Sequence, residues 1–295
     1  MHAQPILAYI IAVFLLQQAA GDDTPRLSPT GYIEYWPGTL PIILSAPHGG
    51  LLAPKELPDR TAGKLIRDSN TIELSHAIRA AMQKRFGAAP ALIICRVSRH
   101  KLDCNREIIE AAQGNPLAEK AWREYHAFID EAEAELLRHH PRGLYIDIHG
   151  HAHEKQRIEI GYALTEKEIQ LPDAELNALA VKSTLRSLAS SVKLPFAELL
   201  RGKTSLGGLL EALGIPSVPA PTMNMENDDP YFSGGYDIRQ HGSISGGKID
   251  ALQLEYPRSF RESAEAREKT SEALIDALDA YFKAHYGAPL MPMKK

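Results

Sequence analysis

Largely apolar runs of five to nine residues, bounded by proline and glycine, alternate along this chain with longer stretches whose apolar residues recur every three or four positions. Residues 42–46 and 92–97 have the composition of strands buried on both faces, and residues 144–148, 158–164 and 249–256 read the same way. Residues 32–36, followed by Pro37-Gly38, are expected to form a hairpin-like pair with 42–46. Ile72, Leu74, Ala77, Ile78, Ala81 and Met82 supply a helical period, with Asp68 or Ser69 as its N-cap. Asn115-Pro116 opens a long amphipathic helix to about residue 140, since proline suits the first helical turn. Further helices are expected over 173–191, 206–213 and 263–286. Residues 219–247 show no period, and an aperiodic stretch that long inside a compact domain is more often functional than not. Strands alternating with helices predict an α/β domain with a mixed, mostly parallel central sheet flanked by helices. Working residues then gather beyond the carboxyl ends of the central strands.

The first residues break this alternation. Residues 6–16 are almost wholly apolar and are followed by Gln17-Gln18-Ala19-Ala20-Gly21 and then Asp22-Asp23. A bilayer span needs about twenty apolar residues. A short apolar run, small residues and then charge is the order of a secretory signal peptide, although no Lys or Arg precedes it. A buried N-terminal helix is the alternative. The expected organisation is a signal peptide (1–21), a polar tether (22–30), one α/β domain (31–288) and a tail (289–295). The mature protein is then secreted or periplasmic, with no stable membrane span. A net charge of −4 offers no dense basic footprint, which argues against a nucleic-acid partner. Cys95 and Cys104 either pair, in an oxidising compartment, or serve as two small buried hydrophobes.

Four segments place ionisable groups right after predicted strands: Pro47-His48-Gly49-Gly50, Arg96-Val97-Ser98-Arg99 running into Asp103-Cys104-Asn105-Arg106, Asp147-Ile148-His149-Gly150-His151, and Gln253-Leu254-Glu255. Each alone has a plain structural reading. A single histidine at a strand end is usually just hydrogen-bonded, and Glu255 in a buried strand is equally explained by pairing with Arg258 or Arg261. Together they make the set that metal-assisted amide hydrolysis needs: imidazoles for zinc, a carboxylate to activate water, and arginines for anionic groups.

These segments, with Asp68-Ser69-Asn70-Thr71-Ile72-Glu73-Leu74 and Gly234-Gly235-Tyr236, resemble in order those of the N-formylglutamate amidohydrolase family. That family is distantly similar to the zinc carboxypeptidases. The resemblance runs from about residue 31 to 261 and implies a zinc-peptidase-like fold and hydrolysis of an amide next to a carboxylate. It implies Zn2+ held by His48 and His149, with a small-molecule or peptide-like carboxylate as substrate. Asn105 and Arg106 match the pair that grips the substrate carboxylate. Glu255 matches the general base, and Arg99, with Arg96 as its alternative, the arginine that polarises the scissile carbonyl. The loop carrying Tyr236 and Arg239 is expected to close over the substrate. One position departs from the carboxypeptidase pattern: the acidic ligand three residues after the first histidine is replaced by Leu51. Asp68, Asp59 and Glu56 are the candidates, and Asp68 is favoured because it begins the helix after the loop. Two rivals accompany this reading. Gly150-His151-Ala152-His153 has the look of a binuclear metallophosphatase motif, but lacks that family's earlier partner motifs. Leu51 leaves room for an exported binding protein that keeps the fold without the chemistry.

Overall fold

The computed structural model describes residues 24–222, 225 and 229–291, so the expected signal peptide lies outside the described residues. Strands β1 (Arg26–Leu27), β2 (Ile33–Trp36) and β3 (Ile42–Ala46) precede helix α1 (Thr71–Phe86) and strand β4 (Ala91–Cys95). Helices α2 (Ile108–Ala112) and α3 (Pro116–His139) lead to β5 (Gly143–His151) and β6 (Ile158–Gly161). Short helices α4 (Glu166–Ile169), α5 (Asp173–Ala178), α6 (Arg186–Ser191), α7 (Phe196–Arg201) and α8 (Leu206–Ala212) follow, then β7 (Ser217–Val218). Helix α9 (Tyr236–His241), strand β8 (Ile249–Pro257) and helix α10 (Ala264–His285) close the fold.

The strands form one sheet in the order β1-β2-β4-β3-β5-β8-β6-β7. Strands β4, β3, β5 and β8 are parallel neighbours at its centre, with β2 and β6 antiparallel on either side. This is the mixed, mostly parallel sheet that the alternation predicts. Helices cover both faces, which is why the central strands read as continuous apolar runs. On one face α1 and α10 pack through Leu74, Ile78, Leu274 and Leu278. On the other, α3 packs through Tyr125, Ile129 and Leu136. Each such side chain, fully buried, contributes about 1.5–3 kcal/mol. Among the described residues no helix is long and apolar enough to cross a membrane.

Several local expectations change. The hairpin of 32–36 with 42–46 does not form, because β4 lies between β2 and β3. The connection instead crosses the entry to β4, where Thr39 and Leu40 donate their N–H groups to Ala89 O. A Cβ on Gly38 would lie 2.0 Å from Ala91 N, so only glycine lets the chain cross there. The helix expected over 173–191 breaks at Ser183 and Thr184, which the sheet captures: Ser183 Oγ donates to Tyr162 O and Thr184 Oγ1 to Ala251 O. Helix α1 starts behind Asn70, in the left-handed region at φ 63°, with no side-chain cap from Asp68 or Ser69. Within the expected tether, Arg26–Leu27 pairs with β2 as an edge strand. Helix α3 starts as predicted, the Asn115 side chain accepting from Leu117 and Ala118 N–H. Cys95 and Cys104 are both buried free thiols.

Candidate active site

Pro47 ends β3, and His48 follows at the carboxyl edge of the sheet. In β5, Asp147 and His149 stand two residues apart and so share a face. The loop after His48 turns back past β4, where Leu52 N–H donates to Arg96 O and Ser98 N–H to Leu52 O. A Cβ on Gly50 would lie 2.4 Å from the Arg96 and Val97 backbone, so this return needs glycine. The loop then brings Asp68 back beside its own start, its N–H donating to His48 O.

The result is a buried triad. His48 Nδ1 and His149 Nδ1 are 3.1 Å apart, and Asp68 Oδ2 lies 3.2 Å from the second and 3.5 Å from the first. Each ring is gripped from behind: His48 Nε2 is 2.6 Å from Asp103 Oδ1, and His149 Nε2 is 2.6 Å from Asp147 Oδ2. Carboxylates only accept, so both Nε2 atoms carry a hydrogen, and the two Nδ1 atoms face each other and Asp68 as the positions where a lone pair or the cluster's remaining proton must sit. Three converging lone pairs repel unless a cation sits among them. This donor set, two imidazoles and one carboxylate, fits a divalent metal with a fourth position open, and the carboxylates behind the histidines are the usual second layer of such sites. The titration behaviour agrees. Burial works against a charge on His149, but Asp147 and Asp68 outweigh it and hold the imidazole well above its ordinary range. Burial likewise opposes ionisation of Asp68, yet the two histidines hold it well below. The metal-free cluster therefore keeps a proton, which a metal would displace.

A cavity of about 720 Å³ opens onto this triad, and Glu255, Arg99 and Arg106 line it. Glu255 is paired in register with His149. Its Oε1 accepts from Gln253 Nε2 at 2.9 Å, while Oε2 is buried with no hydrogen-bond partner. Burial, reinforced by Asp68 and Glu159 and opposed by His149, pushes Glu255 up to about 8. Neither arginine proposed as its structural partner hydrogen-bonds to it. Arg261 is spent on the carbonyls of Tyr256, Ser69 and His151, and Arg258 is exposed. Arg99 donates through Nε to Asp103 Oδ2 at 2.9 Å and through Nη1 toward Asp68 Oδ1 at 3.5 Å.

Asn105 also lines the cavity, whereas the remaining sequence candidates lie outside it. Asn105 is buried and occupied: Nδ2 donates to Asp147 Oδ2, and Oδ1 accepts from Asp237 N–H. Tyr236 packs on Trp122 and His126, and Arg239 reaches toward Ala163 O, so neither lines the cavity. Residues 231–235 form its wall instead. Glu56 bonds Tyr32, Asp59 pairs with Lys101, and Arg96 bonds Gly31 O, all away from the triad. Leu51 is exposed. Asp103, Asp147, Gln253 and Glu159 were not singled out as site residues. The available signal was spacing: Asp147 and Gln253 each stand two before a candidate, and a strand puts such pairs on one face, whereas Asp103 lies in the loop after β4, where no period marks it.

No family model matches the sequence, and no curated protein matches it. Among solved structures the chain is similar to N-formylglutamate amidohydrolase from Ralstonia eutropha JMP134, at 16% identity and a TM-score of 0.50, over 86% of this chain and 97% of that one. It is also similar to succinylglutamate desuccinylase from Chromobacterium violaceum, at 14% identity and a TM-score of 0.39, over 95% of this chain and 79% of that one. The resemblance carried by the sequence motifs thus extends to the fold, through the first of these structures.

Proposed function

We propose that this chain is a zinc-dependent hydrolase that cleaves an amide bond next to a carboxylate, with N-formylglutamate or a related N-acyl or γ-glutamyl compound as substrate. One observation carries the reading: a buried carboxylate with a free oxygen, Glu255, stands in register beside a His-Asp-His donor set in the same cavity. Zinc bound by His48, Asp68 and His149 supplies a Lewis acid that makes water easier to deprotonate and polarises a carbonyl.

The chain's own groups do the rest. Glu255 Oε2 accepts a proton from the water that attacks the amide carbon and returns it to the nitrogen of the departing amine. With Glu255 pushed up to about 8, the proton moves either way near neutral pH. Arg99, fixed by Asp103, presents its guanidinium to the oxyanion that develops on the carbonyl oxygen. Arg106 draws the substrate carboxylate; its Nε and Nη1 are held by Glu110 and Asn105 O, which fixes the guanidinium in the cavity wall. Asn105 acts by holding Asp147, and through it His149, instead of meeting substrate. The apolar leader makes export part of this proposal, so the substrate is met outside the cytoplasm.

The test is a panel of N-acyl amino acids incubated with the zinc-loaded protein, following the released amine. Compounds with a carboxylate on the carbon bearing the amide nitrogen should be cleaved, and their carboxamide analogues much more slowly. Release of amine from neither set, or release of phosphate from a phosphomonoester instead, would refute the assignment.

A further inference from the structure

Outside the active-site cavity, where α9 meets α3, a second pair of histidines leads outward to two carboxylates. The rings of His126 and His241 are stacked, with centroids 5.2 Å apart and planes 12° from parallel. His126 Nδ1 lies 2.9 Å from His241 Nε2, and His126 Nε2 lies 3.2 Å from Cys104 O. A carbonyl only accepts, so His126 Nε2 carries a hydrogen. Burial, reinforced by His241, pushes His126 down to about 3, so its ring is neutral and its Nδ1 accepts. The hydrogen between the rings therefore sits on His241 Nε2, and in a neutral ring His241 Nδ1 keeps its lone pair.

That nitrogen faces acceptors. Glu133 Oε1 is 3.1 Å from it and Asp130 Oδ1 3.7 Å. Both carboxylates come from α3, three residues apart and so on one face of the helix. The three donor atoms lie within 4.8 Å of one another. Among the described residues neither carboxylate pairs with a Lys or Arg. The His241 side chain is 2% exposed and that of Asp130 70%, so a buried nitrogen forms the base of a cluster that opens to water. A proton on Nδ1 would offset one of the two negative charges, whereas a divalent cation offsets both. Around a tetrahedral ion with ligands at about 2.0–2.2 Å, donor atoms stand roughly 3.3–3.6 Å apart, close to the spacings from Nδ1 here.

We infer that Asp130, Glu133 and His241 form a second site for a divalent cation, separate from the His48-Asp68-His149 triad, that fastens α9 to α3. One imidazole with two carboxylates suits zinc and leaves a position for water. None of the three residues lines the active-site cavity. Helix α9 follows the 231–235 wall of that cavity, and its Asp237 N–H donates to Asn105 Oδ1. A cation bound here therefore steadies the wall from its far end and takes no part in the chemistry.

Counting metal tests the site without reference to the reaction. Zinc titrated into the chelated, folded wild type should bind to two equivalents per chain, and the second should raise the melting temperature further. Asp130→Asn/Glu133→Gln removes both charges near the surface and keeps side-chain size, so it should bind one equivalent and lose the second rise. If that double variant folds poorly, Asp130→Asn alone, on an exposed side chain, should weaken the second equivalent. One equivalent in the wild type would overturn the site, because a proton on His241 then suffices. So would two equivalents retained in the double variant, or a second equivalent lost in His153→Gln instead. A chain that binds both ions but cleaves no amide would keep this site and lose the proposed reaction.

Discussion

Replacing Glu255 by glutamine is expected to lower the turnover of N-acyl amino acids by about 10²–10⁴-fold, the usual share of a general base. The substitution preserves shape and the bond to Gln253, so the fold and the bound metal should be retained. Stability adds a second readout with a definite sign. In the metal-free chain Glu255 is pushed from 4.5 up to about 8, chiefly by burial, so between those values the folded state holds a proton that the unfolded state releases. Its contribution is complete below about pH 4.5 and is lost as pH rises through 8. The chelated wild type should therefore lose melting temperature across that window, and the chelated Glu255→Gln protein should lose less. Measuring kcat at saturating substrate beside melting curves from pH 5 to 9 checks both. Turnover that survives the change would remove Glu255 as the base. A collapsed fold would return it to a structural role.

Asp103→Ala is expected to cost the most stability of any single change near the site. Its carboxylate is fully buried and accepts from His48 Nε2 at 2.6 Å, Arg99 Nε at 2.9 Å and Asn105 N at 3.1 Å, with Arg60 Nη1 3.7 Å away. Without it two buried guanidinium groups lose their nearest counter-charge, an imbalance that costs about 3–5 kcal/mol. His48 also loses the acceptor that fixes its Nε2–H tautomer, which should weaken metal affinity by about 10–100-fold. Burial opposes ionisation of Asp103, but His48, Arg99 and Arg106 hold it well below the usual carboxylate range. Its stabilising share is therefore present above the ordinary aspartate range and lost as pH falls further. Denaturant unfolding and competition against a metal chelator measure the two effects separately. A variant with wild-type stability and wild-type metal affinity would show that Asp103 supports neither the arginines nor His48.

The parts of this molecule legible in its sequence are those set by local pattern. Buried central strands need apolar runs, so β3, β4, β5 and β8 are visible as composition, and Asn115-Pro116 marks the start of α3 because capping is a local event. Strand partnership is not local. Whether β2 pairs with β3 or β4 turns on the close passage of Gly38 against Ala91, a contact between segments more than fifty residues apart. The break at Ser183 and Thr184 is likewise set by bonds to Tyr162 and Ala251, which no helical period records. At the candidate site the same division holds. His48, His149 and Glu255 stand out because each follows or interrupts an apolar run. Asp68 is ambiguous in sequence because an aspartate before a helix is ordinarily a cap; the left-handed turn at Asn70 frees its carboxylate for the histidines. Asn105 and Arg106 are neighbours in sequence and both line the cavity, but Asn105 is tied to Asp147 and the Asp237 N–H, while the Arg106 guanidinium is tied to Glu110 and the Asn105 carbonyl.

The central claim is that amide hydrolysis here depends on one metal held by His48, Asp68 and His149. Its most direct test is a titration of the chelated protein with zinc, following hydrolysis of N-formyl-L-glutamate at each addition. Activity should be absent at the start, rise with added zinc and level off at one equivalent per chain. Full activity in the chelated protein, or none at any zinc ratio in a correctly folded chain, would contradict the claim.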